Sequence, residues 1–188
     1  MVLPIYAFGQ PILKQEGEAL DPLNYPGFAD LVHNMFETMK AAKGVGLAAP
    51  QIGLGLKLFV MDTMPYVEEG KDSIGIRKVF VNAKMIEETG DEWAFEEGCL
   101  SIPDLRADVD RHATIKIEYQ DEEGRSHLEI FDGLNARVIQ HEYDHTMGVL
   151  FIDHLKPLKK RMVQRRLEAI KKGQIEADYK LKFYRHRT

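Results

Sequence analysis

Along this chain the apolar positions switch between two periods. From about Pro26 to Lys43, Phe28, Leu31, Val32, Met35, Phe36 and Met39 recur on one helical face; Pro26 suits a first turn and Gly44 a C-terminal stop. Between Leu56 and Phe131 the period falls toward two. The stretches KLFVMD, RKVFVNA, ATIKIEYQ and SHLEIF read as strands, divided by turn signals at Glu69-Gly70, Thr89-Gly90 and Glu123-Gly124. Helical spacing returns from about Leu134 to Met147, closed by Gly148, and again from about Pro157 to Lys172. Strands clustered between helices, without βαβ alternation, predict an α+β fold with an antiparallel sheet.

Composition narrows the class. With 188 residues, 44% hydrophobic and 29% charged, the chain has the balance of a soluble globular protein. No apolar run approaches the roughly 20 residues that a membrane helix needs. No repeat, low-complexity tract or Gly/Ser linker divides it, so a single domain is expected over 1–172, with a basic C-terminal tail over 173–188. The start, MVLPIYAFGQPIL, lacks both a charged-then-apolar leader and an Arg/Ser-rich transit pattern. Cys99 is the lone cysteine, which excludes an intrachain disulfide and fits a reducing cytosol. The expected location is cytoplasmic.

The formal net charge of -5 hides an asymmetry. Residues 156–188 carry 12 Lys+Arg against 3 Asp+Glu, a net of +9, on a body whose net is -14. A basic helix on an acidic body signals a partner, or simply a solvated face. The overall charge gives no hint of DNA binding.

The central helical stretch contains His141-Glu142-Tyr143-Asp144-His145, an H-E-x-x-H pattern. Positions i and i+4 share a helix face, so both imidazoles can reach one metal ion with Glu142 beside it. The pattern leaves the third ligand open. A third His six residues after His145 would extend it, but that position is Phe151. Glu168 is a candidate, although its Lys- and Arg-rich helix supplies it with ion-pair partners. Cys99, preceded by Gly98, is the remaining soft ligand, and a thiolate with two imidazoles suits Zn(II) or Fe(II). A lone Cys is equally a small buried hydrophobe, or a nucleophile with His141 as base. A non-enzymatic RNA-binding module, with a structural H-E-x-x-H, also remains open. Asp144 is a candidate to support His141 through an ion pair with Arg111. His33, His112, His127, His154 and His186 lack ligand spacing and read as ordinary.

Three segments lie in one order and spacing: Gly44-Val45-Gly46-Leu47-Ala48-Ala49-Pro50-Gln51, Glu97-Gly98-Cys99-Leu100-Ser101, and Gln140-His141-Glu142-Tyr143-Asp144-His145. On these motifs the chain resembles the peptide deformylase family over about residues 3–170. Thr146 departs from the family's usual Leu, outside the ligand set.

The resemblance implies antiparallel sheets packed around the central helix, flanked by an N-terminal and a basic C-terminal helix. It implies removal of the formyl group from the N-terminal formyl-methionine of nascent polypeptides, with release of formate. One divalent ion is implied, ferrous iron natively with zinc or nickel also accepted, held by Cys99, His141 and His145. Its bound water would be the nucleophile, with Glu142 as general acid/base. The Leu100 main-chain N–H and the Gln51 amide would stabilise the oxyanion. Val45, Leu134 and Val138 would line the methionine pocket. Gly44, Gly46 and Gly98 would offer main chain to an extended peptide, with Arg106 beside the channel. The basic C-terminal helix would then be a ribosome-docking element. Binding to acidic rRNA of that kind weakens steeply with salt.

Overall fold

The computed structural model describes residues 1–66 and 74–184. It contains β1 (Ile5–Tyr6), α1 (Phe28–Ala41), β2 (Gly46–Ala48), β3 (Leu58–Asp62), β4 (Arg77–Cys99), β5 (Ile102–Gln120), β6 (Ser126–Asp132), α2 (Gly133–Thr146), α3 (Pro157–Lys171) and β7 (Leu181–Lys182). Strands β2-β3-β4-β5-β6 form one antiparallel sheet in that order, while β1 and β7 pair in parallel. The fold is α+β, as the periodicity predicts.

The apolar stripe of α1 becomes its buried face: Phe28, Val32, Met35, Phe36 and Met39 join Leu47, Leu58 and Val60 in one core cluster. Both ends of this helix differ from expectation. Gly27, at φ 71, turns the chain just ahead of Phe28, so Pro26 lies outside the helix. At the other end the left-handed residue is Lys43 (φ 56), and the Gly44 N–H reaches the Met39 carbonyl at 2.9 Å. That pattern is a Schellman stop with lysine in the usual glycine position. Gly44 instead packs close to Leu100, whose Cδ1 would have to shift to admit a Cβ 2.7 Å away. On α2 the same motif takes its ordinary form: Gly148 is left-handed (φ 73) and the Val149 N–H returns to the Asp144 carbonyl.

Thr89-Gly90 is not a turn. The pairing runs on from Thr89↔Thr114 to Glu92↔His112, with one extra residue on β4 and Gly90 at φ 77. A bulge thus bends a continuous strand where a chain reversal was expected. This half of β4 is solvated on both faces, so its sequence shows no apolar alternation. The Glu123-Gly124 signal does form a turn, closed by Gly124 N–H to Asp121 O at 3.0 Å. Glu69-Gly70 lies outside the described residues.

Helix α2 is buried from Ala136 to Glu142. Ala136, Val138 and Ile139 pack with Phe59, Phe80 and Ile115 of the sheet. Helix α3 is amphipathic, burying Leu167 and Ile170 against Phe151 and Val109. Its basic side chains partly face acids on β5: Arg166 meets Asp104 at 2.8 Å and Lys156 meets Asp110 at 3.3 Å. Within the segment expected as a tail, Leu181–Lys182 docks on Ile5–Tyr6. Among the described residues, no helix is long and apolar enough to cross a membrane.

Candidate metal centre

Two rigid elements converge on one point. Helix α2 places His141 and His145 one turn apart, with ring centroids 5.1 Å from each other. The β4–β5 hairpin places Cys99 at the last residue of β4, before the two-residue turn Leu100-Ser101. Cys99 Sγ lies 3.2 Å from His145 Nε2, and Cys99, His141 and His145 each offer a ligand atom within 4.8 Å of the others. Ligand atoms around a tetrahedral ion with Zn–N and Zn–S bonds stand roughly 3–4 Å apart. The donor set therefore fits a divalent ion of the zinc or ferrous type. Burial alone would raise the Cys99 thiol, but the His145 and His141 imidazoles bring it down to about 5, the thiolate form that a metal requires.

Glu142 sits beside this cluster, buried, with Oε2 lacking a hydrogen-bond partner among the described residues. Burial pushes its carboxyl up to about 7 against the opposing pull of His141 and His145. Such a group exchanges a proton near neutrality. Strand β2 lies against it: a Cβ on Gly46 would fall 2.4 Å from Glu142 Oε1. The Gln51 side chain is aimed by its own loop. Its Oε1 accepts from the Ala48 N–H at 2.8 Å, leaving Nε2 to face Cys99 Sγ at 3.5 Å and Ser101 Oγ at 3.4 Å.

The cluster opens onto a cleft of about 1010 Å³. Gly44, Val45, Gly46, Gln51, Gly98, Cys99, Leu100, Arg106, Leu134, Val138, His141 and Glu142 all line it; His145 is buried and does not. Gly98 is spacious rather than tight, as a Cβ there would meet only the Arg106 chain, at 3.4 Å. Arg106 is exposed and 4.0 Å from Glu96. Glu168 is outside the cleft; its carboxylate accepts from Gln164 at 3.3 Å on α3. Of the two candidates for a third ligand, only half-buried Cys99 lies with His141 and His145.

Sequence reasoning missed the support behind His141. Glu97 Oε2 accepts from His141 Nδ1 at 2.9 Å. Arg111 grips Glu97 through Nε at 2.7 Å, and Arg137 reaches the same carboxylate at 3.0 Å. Burial would raise the Glu97 carboxyl, but His141 and Arg111 hold it well below the usual range. Carboxylate to imidazole to metal is the familiar outer support of a ligand histidine, fixing its tautomer and orientation. The signal was available: Glu97 immediately precedes Gly98-Cys99. Arg111 also meets Asp144 at 2.8 Å, the pairing anticipated from sequence. His154, read as ordinary, lies 2.8 Å from that same Asp144. Trp93 and Phe95, also unanticipated, line the cleft rim beside Arg137.

The sequence model described as polypeptide deformylase matches residues 2–161. The chain belongs to that family. A peptide deformylase of Christiangramia forsetii is 50% identical over 190 residues, covering 97% of this chain and 96% of its own. Among solved structures, a peptide deformylase from Thermus thermophilus superposes with a TM-score of 0.81 at 37% identity, over 92% of this chain and 99% of its own. One from Legionella pneumophila gives 0.79 at 34% identity, over 93% and 98%. As a family member, the chain is a deformylase-type hydrolase with a Cys/His/His set fit for a metal.

Proposed function

We propose that this protein removes the formyl group from the N-terminal formyl-methionine of nascent polypeptides, releasing formate and a free amine. The observation that carries this reading is the convergence of Cys99, His141 and His145 with Glu142 and Gln51 in a single cleft. Cys99, His141 and His145 would hold one divalent ion, Fe(II) natively with Zn(II) or Ni(II) accepted. Bound there, it supplies Lewis acidity and a water acidic enough to attack near pH 7. Glu142 accepts the proton from the attacking water and returns it to the departing amine. The Gln51 amide and the Leu100 N–H receive the oxyanion as the formyl carbon becomes tetrahedral.

The cleft supports a peptide substrate. Val45, Leu134 and Val138 give it an apolar wall for a methionine side chain. Strand β2 is an edge strand, so Gly44 and Gly46 can pair with an extended peptide while Gly98 and Arg106 flank its path. We assign residues 1–172 to the catalytic domain and the site of action to the cytoplasm, where formylated chains emerge. The exposed basic face of α3, with Arg161 and Arg165 unpaired among the described residues, is the proposed ribosome contact. Its binding should fall steeply between low and physiological salt.

Matched formyl-Met and acetyl-Met peptides, plus an unmodified protein substrate, test the reading. Hydrolysis confined to the formyl peptide and abolished by chelator supports it. Internal peptide-bond cleavage would favour a protease, and chelator-resistant turnover a Cys99 nucleophile.

A further inference from the structure

The turn Leu100-Ser101 carries one of the two proposed oxyanion donors, and a two-residue turn has few restraints of its own. Here both of its carbonyls are held from outside. The Phe8 N–H donates to the Ser101 carbonyl at 2.8 Å, and the Tyr179 hydroxyl donates to the Leu100 carbonyl at 2.7 Å. These two anchors come from opposite ends of the chain, and the ends are tied to each other. Ile5 N–H meets Lys180 O at 2.9 Å, Ala7 N–H meets Lys182 O at 3.0 Å, and Gln10 Nε2 meets Lys182 O at 3.0 Å. Tyr179 is half-buried, packs against the α1 core cluster and forms part of the cleft wall. It lies beyond residue 161, where the family match ends.

We infer that Tyr179 is a positioning residue of this site: its hydroxyl fixes the Leu100-Ser101 turn so that the Leu100 N–H stays aimed into the cleft. The inference rests on the deformylase reading above, in which that N–H receives the oxyanion. With the Ser101 carbonyl fixed by Phe8, the Tyr179 bond removes the remaining freedom of the turn. A preorganised donor stabilises developing charge without reorganising during the reaction, whereas a mobile one must be ordered at each turnover. Tyr179 thereby extends the catalytic unit past the 1–172 assigned above, beyond the basic helix and outside the three sequence motifs.

The test is Tyr179→Phe in the zinc-loaded full-length protein, which keeps the ring and removes the donor. Loss of one neutral hydrogen bond predicts a kcat about threefold to tenfold lower. KM should stay within about twofold with bound metal unchanged, because nothing that binds substrate or the ion is lost, and the thermal midpoint should fall by only about 2–4 °C. The backbone order parameter of the Leu100 amide should fall from the rigid range near 0.85 toward about 0.6, while α2 stays rigid. An unchanged order parameter, or an unchanged kcat, overturns the inference. Because amide motion is read without turnover, it judges Tyr179 separately from the reaction: absence of formate from the wild type would sink the deformylase reading, not the hold on the turn.

Discussion

Glu97 Oε2 stands 2.9 Å from His141 Nδ1, which turns the other ring nitrogen of His141 toward Cys99 and His145. The carboxylate is gripped in turn by two buried arginines, Arg111 and Arg137. The carboxylate therefore has two tasks, orienting the proposed ligand His141 and, with Asp144, neutralising two cations that have left water.

Removing its charge should damage both. Glu97→Gln takes the paired carboxylate from buried Arg137 and leaves Arg111 with Asp144 alone, at a cost of about 3–5 kcal/mol in unfolding free energy. It also loosens His141, lowering metal affinity about 10- to 100-fold. Denaturant unfolding and a competitive metal titration read the two effects. A variant with wild-type stability and affinity would remove the supporting role.

Glu142→Gln separates chemistry from binding. The side chain keeps its shape, and Oε2 has no hydrogen bond to lose among the described residues. Turnover should fall about 10²- to 10⁴-fold while bound metal remains stoichiometric. Retained turnover at full metal loading would show that the proton moves by another route.

Gly46→Ala probes the same carboxylate from across the cleft. The new Cβ would meet Glu142 Oε1 at 2.4 Å and Cγ at 2.6 Å, so the Glu142 side chain must move. A displacement near 1 Å costs about 10²-fold in rate. Activity should drop far more than the thermal midpoint; equal rates for variant and wild type would place Glu142 elsewhere during turnover.

Away from the site, the sheet carries a pH-sensitive pair. Glu129 accepts from Lys78 and from the Tyr119 hydroxyl, each at 2.8 Å. Burial opposes its ionisation, but the Lys78 and Tyr119 hydrogen bonds prevail and lower its pKa from the ordinary 4.5. A depressed carboxylate contributes stability above its unfolded pKa and loses it as pH falls through the folded one. The Glu129→Gln variant should therefore melt below wild type at pH 7. That gap should narrow as the solution is acidified below 4.5. A gap that stays constant from neutral to acid pH contradicts the pairing.

Much of this site is legible in the sequence because its parts are local. His141, Glu142 and His145 need only a helix, and the stripe on Phe28–Met39 and the stop at Gly148 are written in nearest-neighbour terms. What escapes the sequence depends on tertiary pairing. Gly90 carries a turn signal, yet the β5 partner strand makes it a bulge. Arg137 looks like a solvated charge, and Arg111 like a partner for Asp144 alone, until the hairpin and α2 enclose both around Glu97. Tyr179 has no local mark of function, since its partner, Leu100, is 79 residues away. The lone cysteine moved furthest in meaning: at first it only excluded a disulfide, but in the fold it stands as a third donor beside His141 and His145.

The decisive measurement is formate release from a formyl-Met peptide by anaerobically prepared protein, taken together with its metal content. Catalytic release of formate at about one metal ion per chain is expected, with Cys99→Ala losing both the metal and the activity and Glu168→Gln keeping both. Stoichiometric metal without formate, or a Cys99→Ala variant that still binds metal and turns over, would contradict it.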